Sequence, residues 1–515
     1  MLIPTISKSE NEADSIYNEA AKNCEFFKDQ NGDIYLVSYT DSKYDLKYLS
    51  YSNTTVKFLR QLYFERYNRT AKTGDVQNAY DTILANIDSC SDEIPVYKRV
   101  GQYHKTLYYD LLNNTNQVVK ISKYGVEIIP RTDIDTMFFD SDKDMCEQSF
   151  QCENIEYSLI DFINDFFIVE ENQRLLLAVY ICTAFIPKIR HPILIVEGEK
   201  GAGKSTLLEK IWQIVNPVKK ELFAIPHNKD GLITLLSNNY FCPIDNLGKI
   251  NDEFANVLCQ ASTGGNLTKR KLYTDNTEFT INIKRIVALN GIDLGITQSD
   301  LLDRAILINL NRIDETKRLP MEMIDERFNK LLPIIMASIF EILSKALAIY
   351  PNVTLTKYPR MADFCRYGYA IAEAIKEGYG EKFIDEYYQN IDFAAEKSIE
   401  QSPLLEGVRN LVEKEAFWKG TATELLKKLH GCLREIYMSN SVHNLIPETP
   451  NALSRELKNH SHEFEKAGIK VDRGHSTDRY IKISKIGAKI PTTPTISTTK
   501  NNLNSQNRKT LLDED

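Results

Sequence analysis

The chain has 515 residues, more than one hydrophobic core usually organises, so three or four domains are expected. Its net charge of −8 excludes a strongly basic nucleic-acid-binding protein, and any DNA contact must come from local basic patches. The nine cysteines form no Cys-x-x-Cys pair, which argues against a disulfide framework or a zinc site. Neither a signal sequence nor an apolar run of membrane-spanning length is recognisable, so we expect a cytoplasmic protein without a membrane partner.

Residues 1–150 predict an α+β accessory domain. Short β-rich runs at 34–38, 106–109 and 118–121 lie between turn-forming connections, and a helical stretch at 56–67 interrupts them. No catalytic constellation is obvious in this region.

One acidic motif in this domain has two interpretations. Phe138 and Phe139 precede Asp140-Ser141-Asp142, a pattern that holds divalent metals in nucleotidyl transferases. The simpler interpretation is an acidic loop that leads into the next domain, and it is favoured because no strand-borne partner carboxylate follows.

The central motif follows a predicted helical connector at 151–190. An apolar run at 193–196 leads into a glycine-rich loop and then an amphipathic helix, in the G-x-x-x-x-G-K-[ST] pattern. Glycines let backbone N–H groups surround a polyphosphate, and the helix N-terminus adds its positive dipole end. Lys204 is predicted to reach the β- and γ-phosphates and Ser205 to hold Mg²⁺, with ATP as the nucleotide. The predicted phosphate-binding residues are Gly198, Gly201, Ala202, Gly203, Lys204, Ser205 and Thr206.

Polar residues end two further apolar strands of this predicted core, which spans residues 191–314. Asp245 follows the strand at 240–244 and is the candidate magnesium ligand together with Ser205. Asn290 follows the strand at 286–289, where an amide can orient the attacking water. Arg304 lies just before a further strand, where ring ATPases project an arginine into the neighbouring subunit's site. The simpler roles are a turn residue for Asn290 and a surface ion pair for Arg304.

A basic hairpin and a helical lid complete this region. Two strands within 267–283 are predicted around an Asp275-Asn276 turn, with Lys269, Arg270 and Lys271 on the first strand, where cations can contact single-stranded DNA. A solvated charge run is the alternative. Residues 315–401 show apolar positions at helical spacing and predict an all-α lid.

Residues 402–486 predict a winged-helix DNA-binding domain, and residues 487–515 a disordered tail. Helices at 421–429 and 450–467 precede two short strands, at 469–471 and 480–483, around a glycine-bearing basic loop. Winged-helix domains also serve as protein–protein modules. The outward face of the second helix carries Asn451, Ser454, Arg455 and Lys458; the candidate DNA-binding residues of this domain are Arg455, Lys458, Arg473 and Arg479.

The order of these motifs resembles the phage and plasmid primase-helicases within the superfamily-three AAA+ helicases. In particular, the chain resembles the self-loading, Rep-type (MCM-like) replication initiator helicases of staphylococcal genomic islands. The resemblance spans nearly the whole chain and is carried by Thr263-Gly264-Gly265, the basic hairpin, Asn290, Asp303-Arg304, Pro359-Arg360-Met361, Tyr108-Tyr109-Asp110-Leu111 and residues 121–125. It implies a multidomain α/β protein with an AAA+ P-loop core, a homo-hexameric ring, and a primase or regulatory protein as a further partner.

The chain departs from the AAA+ pattern beside the magnesium aspartate. Many AAA+ motors carry a glutamate there to polarise water, but here the neighbour is Asn246, an amide without useful basicity. Either Glu197 or Glu199 replaces that glutamate, or positioning by amides suffices. The predicted catalytic residues are Lys204, Asp245, Asn246, Asn290 and Arg304.

These motifs and the resemblance predict an ATP-dependent, ring-forming DNA helicase that binds an origin, melts and unwinds duplex DNA, and initiates replication of a mobile element. The sequence leaves two alternatives open. One is a primase-helicase in which Asp140 and Asp142 make primers, and the other is an ATP-switched DNA-binding protein without strand separation.

Overall fold

A computed structural model of the chain describes residues 11–40, 43–50, 52–90, 93–151, 157–248, 250–270, 278–291, 298–437, 445–475 and 479–486. The chain divides into two compact units, Met1–Gln401 and Ser402–Asp515. Both units mix helices with sheets, so the protein is a multidomain α/β molecule.

The first unit begins with a small helix-and-sheet layer. Helix α1 starts after Asn11, whose side chain accepts a hydrogen bond from the Asp14 N–H and so caps the helix. Buried apolar side chains of the helices pack on Leu36 of the three-stranded antiparallel sheet. The elements are α1 (Glu12–Asn23), β1 (Glu25–Lys28), β2 (Ile34–Thr40), β3 (Lys43–Tyr48), α2 (Asn53–Tyr67) and α3 (Thr73–Cys90).

A second antiparallel sheet of four strands follows in chain order. Its alternating pattern buries Leu107, Tyr109, Val119 and Ile121 in the same hydrophobic core that holds the central helices. The strands are β5 (Val100–Tyr103), β6 (Thr106–Asp110), β7 (Gln117–Ser122) and β8 (Gly125–Pro130); beside them β4 (Val96–Tyr97) pairs with β9 (Phe138–Phe139).

The central layer is a four-stranded parallel sheet in the order β11-β14-β10-β15. Its strands are buried on both faces, which is why they read as continuous apolar runs in the sequence. The strands are β10 (Ile193–Gly198), β11 (Phe241–Leu247), β14 (Ile286–Gly291) and β15 (Ala305–Leu310). The helices around them are α4 (Leu159–Phe166), α5 (Glu171–Thr183), α6 (Lys204–Val215), α7 (Lys229–Asn238), α8 (Asp252–Thr263) and α9 (Ser299–Leu302).

A buried arginine joins the four-stranded antiparallel sheet to this central layer. The Arg99 guanidinium donates hydrogen bonds to the Asp110 carbonyl at 2.9 Å and to the Asn216 side chain, just beyond α6, at 3.0 Å. A fully buried charge is tolerated only when its donors are satisfied, so this contact fixes the sheet on the end of α6.

A hairpin projects from the central layer between α8 and β14. Strands β12 (Gly265–Arg270) and β13 (Glu278–Ile283) are antiparallel, and Gly265 lies opposite Ile283. The predicted Asp275-Asn276 turn and Lys271 lie outside the described residues.

Three helices end the first unit: α10 (Met321–Ile349), α11 (Ala362–Ile375) and α12 (Tyr379–Gln401). By length and composition α10 is long and apolar enough to cross a membrane, but 67% of its most apolar stretch is buried inside the protein. Its apolar face packs on α5 and on the antiparallel sheet, which explains the composition.

The second unit contains α13 (Pro403–Glu415), β16 (Phe417–Gly420), α14 (Ala422–Tyr437), α15 (Pro450–Asn459), α16 (Ser461–Lys466), β17 (Ile469–His475) and β18 (Arg479–Lys485). Two sequence predictions are corrected here. The single helix expected at 450–467 is broken at His460. The sequence does not reveal this break, because Leu457 and Phe464 keep the apolar spacing across it. In addition, β16 adds an unpredicted third strand beside β18.

Candidate nucleotide-binding site

A glycine-rich loop between β10 and α6 forms the centre of the site. Gly198, Gly201 and Gly203 all have positive φ angles of 146°, 85° and 83°, which other residues adopt only with strain. A Cβ at Gly198 would lie 2.4 Å from the Leu310 carbonyl oxygen, so a side chain there would displace β15. The loop therefore needs glycine for both its turn and its packing.

Lys204, the first residue of α6, spans this loop. Its ammonium donates hydrogen bonds to the Gly198 carbonyl at 2.7 Å and to the Glu199 carbonyl at 3.0 Å. Burial lowers the pKa of Lys204 from its ordinary value, and the Asp245 charge opposes that shift. The geometry holds the cation over the loop, where the N-terminus of α6 also presents its free N–H groups.

Predicted polar residues from α6, β11 and β14 meet beside this lysine. The Ser205 hydroxyl donates to the Asp245 carboxylate at 2.8 Å, and the Asn290 amide lies 3.5 Å from the same hydroxyl. They come together because β10, β14 and β11 are adjacent and parallel, so their carboxyl ends share one edge of the sheet. A hydroxyl and a carboxylate are oxygen ligands of the kind Mg²⁺ prefers.

Asn246 enters this cluster through its backbone. Its N–H donates to the Asn290 side-chain oxygen at 2.7 Å, and its own side chain is exposed. The residue has a φ of 54°, in the left-handed region that asparagine tolerates better than most residues. This arrangement fixes the orientation of the Asn290 amide towards Ser205.

Of the two glutamates considered as replacements for the missing acid, Glu197 is buried and forms an ion pair with Lys397 of α12. That pairing gives Glu197 a structural role between β10 and α12. Glu199 lies exposed on the loop itself.

Arg304 lies at the opposite edge of the sheet. Ala305 pairs with Ile193 and Leu310 with Gly198, so the length of β10, about 17 Å, separates Arg304 from its own glycine loop. Its side chain is only 14% exposed and bonds to the carbonyl and carboxylate of Asp300. Arg360 also binds Asp300, at 2.6 Å.

A cavity of about 440 Å³ opens beside Arg304 at this edge. Its polar lining comes from α7, α8 and α9 and includes Lys229, Glu253 and Gln260. The Nε atom of Arg304 is buried and has no hydrogen-bond partner among the described residues. Arg304 is thus an oriented cation that lies at the far end of β10 from the glycine loop of its own chain.

Arg318 is a residue of the site that the sequence pattern does not single out. Its guanidinium lies 3.2 Å from the position of a Cβ on Gly201, and the side chain is exposed. Arg318 belongs to the segment between β15 and α10, and Ile313 of the same segment lies beside Gly203. The sequence does not predict the position of Arg318, because its segment carries no motif and is brought to the glycine loop only by the tertiary structure.

The predicted DNA-binding residues that the structure describes lie on β12 and on three elements of the second unit. Lys269 and Arg270 lie on β12, where the structure describes the backbone but not these side chains. On α15, Arg455 and Lys458 are exposed, as is Arg479 at the start of β18. Arg473 is exposed as well, but its guanidinium donates a hydrogen bond to the Ser454 carbonyl, and partial desolvation lowers its pKa. Arg473 therefore joins β17 to α15.

The acidic motif near β9 is neutralised within the chain. The Asp140 carboxylate forms an ion pair with Lys98 at 2.5 Å, and Asp142 accepts the Asp144 N–H at 2.9 Å. Among the described residues, no group of three or more His, Cys, Asp or Glu side chains is arranged to hold a metal ion. This geometry supports the acidic-loop interpretation.

Two family models match the chain. A model described as an actinomycete integrative conjugative element replication protein (RepA) matches residues 158–388, and a model of its C-terminal domain matches residues 404–499. Together they cover more than half of the chain. The protein belongs to this family of RepA replication proteins.

Solved structures similar to this RepA family member include one titled as the active helicase Cch of SCCmec type IV, with 13% identity and a TM-score of 0.45; the match covers 90% of this chain and 93% of that one. The A form apo structure of the NrS-1 C-terminal region has 12% identity and a TM-score of 0.39, over 93% of this chain and 100% of that one. No curated protein matches the chain.

The RepA model spans the whole candidate site. Residues 158–388 include the glycine loop, Asp245, Asn290, Arg304 and Arg318. Neither family match covers residues 1–157, which contain the three-stranded and the four-stranded antiparallel sheets.

Proposed function

We propose that this protein is an ATP-driven, ring-forming DNA helicase that initiates replication of a mobile genetic element from within the cytoplasm. One observation carries the proposal: Lys204, Ser205, Asp245 and Asn290 converge at one sheet edge, in a member of a replication-protein family. The central parallel sheet is the AAA+ core in this proposal, and α10–α12 form its helical lid.

Each residue of the cluster has a chemical task. Lys204 and the loop N–H groups bind the β- and γ-phosphates. Ser205 and Asp245 would hold Mg²⁺, which offsets phosphate charge when bound. Asn290, fixed by the Asn246 backbone, orients the attacking water, so positioning by amides replaces the missing glutamate.

The position of Arg304 supports hydrolysis between subunits. Because it lies about 17 Å from its own loop, the nucleotide that it contacts must belong to a neighbouring copy. A guanidinium at the γ-phosphate stabilises the charge that develops in the transition state. A closed ring, which we propose is a hexamer, gives every subunit both a loop and a neighbouring arginine.

Two elements are proposed to contact DNA. The hairpin of β12 and β13, with Lys269, Arg270 and Lys271, tracks single-stranded DNA in the ring channel. The second unit, read as a winged helix, holds origin duplex through Arg455, Lys458 and Arg479. Arg473 supports that surface through its bond to Ser454. A primase or a regulatory protein is a further proposed partner.

Unwinding of forked DNA tests the proposal directly. We expect the wild-type protein to separate the strands of a labelled fork with ATP and Mg²⁺, and not without ATP. ATP turnover that is accompanied by no strand separation would overturn the helicase assignment.

Removal of residues 402–515 tests the division between the two DNA contacts. Because these residues form a separate compact unit, the remaining chain should keep its ATPase activity. It should lose its preference for origin duplex over random duplex. Retention of that preference would contradict the role of the second unit.

A second candidate function is favoured by one feature of the site. The residue beside Asp245 is an amide, and Glu197 is committed to Lys397, so hydrolysis has a weaker base than in many AAA+ motors. A slow ATP-dependent switch in DNA affinity would then be the activity. It predicts nucleotide-dependent DNA binding on the same fork without strand separation.

A further inference from the structure

Two neighbouring hairpin tips of the antiparallel sheet expose aromatic side chains. Tyr124, in the turn between β7 and β8, is 87% exposed, more than any other large apolar side chain that the structure describes. Tyr103, at the end of β5, is 41% exposed, and the His104 ring lies 4.3 Å from its ring. These exposed rings contribute nothing to the core, and their faces are available to stack against a ligand.

The sheet register brings the two tips together. Tyr103 pairs with Thr106, Leu107 with Ile121, and Ser122 with Gly125, so both turns end at the same edge of the sheet. The rings therefore lie on adjacent hairpins.

Both tips are held rigidly from below. The Ser122 carbonyl accepts a hydrogen bond from Ser344 of α10 at 2.7 Å. The Gln102 side chain donates to the His104 carbonyl at 3.2 Å and so supports a turn in which His104 has a φ of 50°. A preformed surface loses little conformational entropy when it binds a ligand.

The charges at this edge are positive and largely uncompensated. Lys123 lies 4.8 Å from the centre of the Tyr124 ring, and Lys105 in the other turn has no ion pair among the described residues. The nearest acid on β8, Glu127, is already bound by Lys120 at 3.0 Å. A ligand at the tips therefore meets two aromatic rings and two available ammonium groups.

We propose that this hairpin-tip surface, made of Tyr103, His104, Lys105, Lys123 and Tyr124, binds single-stranded nucleic acid. Unpaired bases stack on the tyrosine rings, and Lys105 and Lys123 contact the phosphates. Stacking selects single strands because bases in a duplex already stack on their neighbours. Residues 1–157 would thereby bind nucleic acid, a role that the proposed function does not assign to them. Single-stranded nucleic acid is consistent with the proposed helicase activity, because unwinding releases single strands.

The test uses the full-length protein and a fluorescently labelled single-stranded DNA of mixed sequence, followed by anisotropy without nucleotide. The double variant Tyr103→Ala/Tyr124→Ala should bind this DNA about tenfold more weakly, the scale expected when a stacked base loses its ring. Tyr124→Phe, which keeps the ring, should bind like the wild type. Tyr39→Ala removes a tyrosine of the three-stranded sheet whose exposure, 52%, lies between those of Tyr103 and Tyr124, and it serves as the control.

Direct contact is measured by ultraviolet crosslinking of a halogenated-uracil oligonucleotide, with the crosslinked peptide identified by mass spectrometry. The peptide containing Tyr124 should be crosslinked in the wild type. Wild-type affinity in the double variant, an equal loss for duplex DNA, or crosslinks confined to other peptides would overturn the proposal.

Thermal unfolding of each variant checks that the fold persists, which is expected because both rings are exposed. ATP hydrolysis and unwinding by the wild type are measured in parallel. If ATP hydrolysis and unwinding are absent while the hairpin tips still bind single strands, the proposed function is wrong and the binding surface is confirmed. If the wild type hydrolyses ATP and unwinds DNA but the double variant binds single strands normally, only the proposed binding surface is wrong.

Discussion

The two edges of the central sheet are built differently. At the carboxyl edge, Lys204, Ser205, Asp245 and Asn290 contact one another or the glycine loop directly. At the amino edge, Arg304 is oriented by Asp300 and faces a polar cavity. The first edge brings together the residues of the proposed phosphate site, whereas the second presents a single oriented guanidinium. This difference between the edges is what supports the proposal of a site divided between neighbouring subunits.

The electrostatics at the amino edge preserve this arrangement. Burial acts to raise the pKa of Asp300, but the hydrogen bond and charge of Arg304, together with Arg360, outweigh it and hold that pKa below its ordinary value. Asp300 therefore stays ionised at neutral pH, and Arg304 keeps its orientation.

The largest expected effect comes from Lys204. Lys204→Ala removes the only positive charge that spans the glycine loop through its carbonyls, and no other described side chain makes those bonds. ATP turnover should fall to background in a phosphate-release assay. Lys200→Ala, on the exposed side of the same loop, is the control and should retain turnover. ATP turnover near the wild-type rate in Lys204→Ala would contradict the proposal that the carboxyl edge binds ATP.

Arg304→Ala should leave nucleotide binding largely intact and reduce hydrolysis about a thousandfold, the usual scale for an arginine finger. Binding persists because the glycine loop lies at the other edge of the sheet. The two quantities are measured separately, by titration with a fluorescent ATP analogue and by steady-state turnover. A parallel loss of binding would place Arg304 in its own subunit's site instead.

Mixing the two inactive variants tests whether the edges meet across an interface. A ring that contains both Lys204→Ala and Arg304→Ala subunits has some interfaces with an intact loop and an intact arginine. Turnover should therefore reappear in the mixture. If mixed rings form and stay inactive at every ratio, the edges do not share a site.

The sequence predicts the two edges unequally. The residues of the carboxyl edge can be predicted because the glycine pattern is local in the sequence and the polar residues lie at the ends of apolar strands. The backbone role of Asn246 and the approach of Arg318 depend on tertiary structure, so spacing does not reveal them. The pairing of Glu197 with Lys397 joins residues 200 positions apart and is equally invisible in the sequence.

The same distinction holds for the fold. Runs at 34–38, 106–109 and 118–121 lie within strands β2, β6 and β7, and the run at 56–67 lies within α2. Helices α1 and α3 were not predicted, although Asn11 caps α1 in the usual way. The sequence does not reveal the break at His460 because apolar periodicity continues through it. It does not reveal β16 because Phe417–Gly420 has two apolar residues in succession rather than the alternation that marks a half-buried strand.

A smaller effect is expected at Arg318, which sharpens the description of the carboxyl edge. Arg318→Ala should weaken ATP binding about tenfold, since a hydrogen bond to a charged group contributes roughly 1.5–3 kcal/mol. Arg318→Lys should recover part of the loss because it keeps the charge. Arg312→Ala, in the same segment but paired with Glu315, should bind ATP normally and is the control. Unchanged ATP affinity in Arg318→Ala would show that its position beside Gly201 has no role in binding.

The smallest effect is expected at Arg360, the second cation on Asp300. Arg360 is 43% exposed, against 14% for Arg304, and exposed ion pairs contribute about 0–1 kcal/mol to stability. Arg360→Ala should therefore lower hydrolysis only a few-fold, because Asp300 still orients Arg304. Steady-state turnover of Arg360→Ala, Arg304→Ala and Arg304→Lys at saturating ATP distinguishes the two arginines. A thousandfold loss in Arg360→Ala with a small loss in Arg304→Ala would assign the intersubunit role to the exposed arginine. Arg304 would then be a positioning residue that holds Asp300 for Arg360, and Arg304→Lys should restore much of that function because it keeps the ion pair.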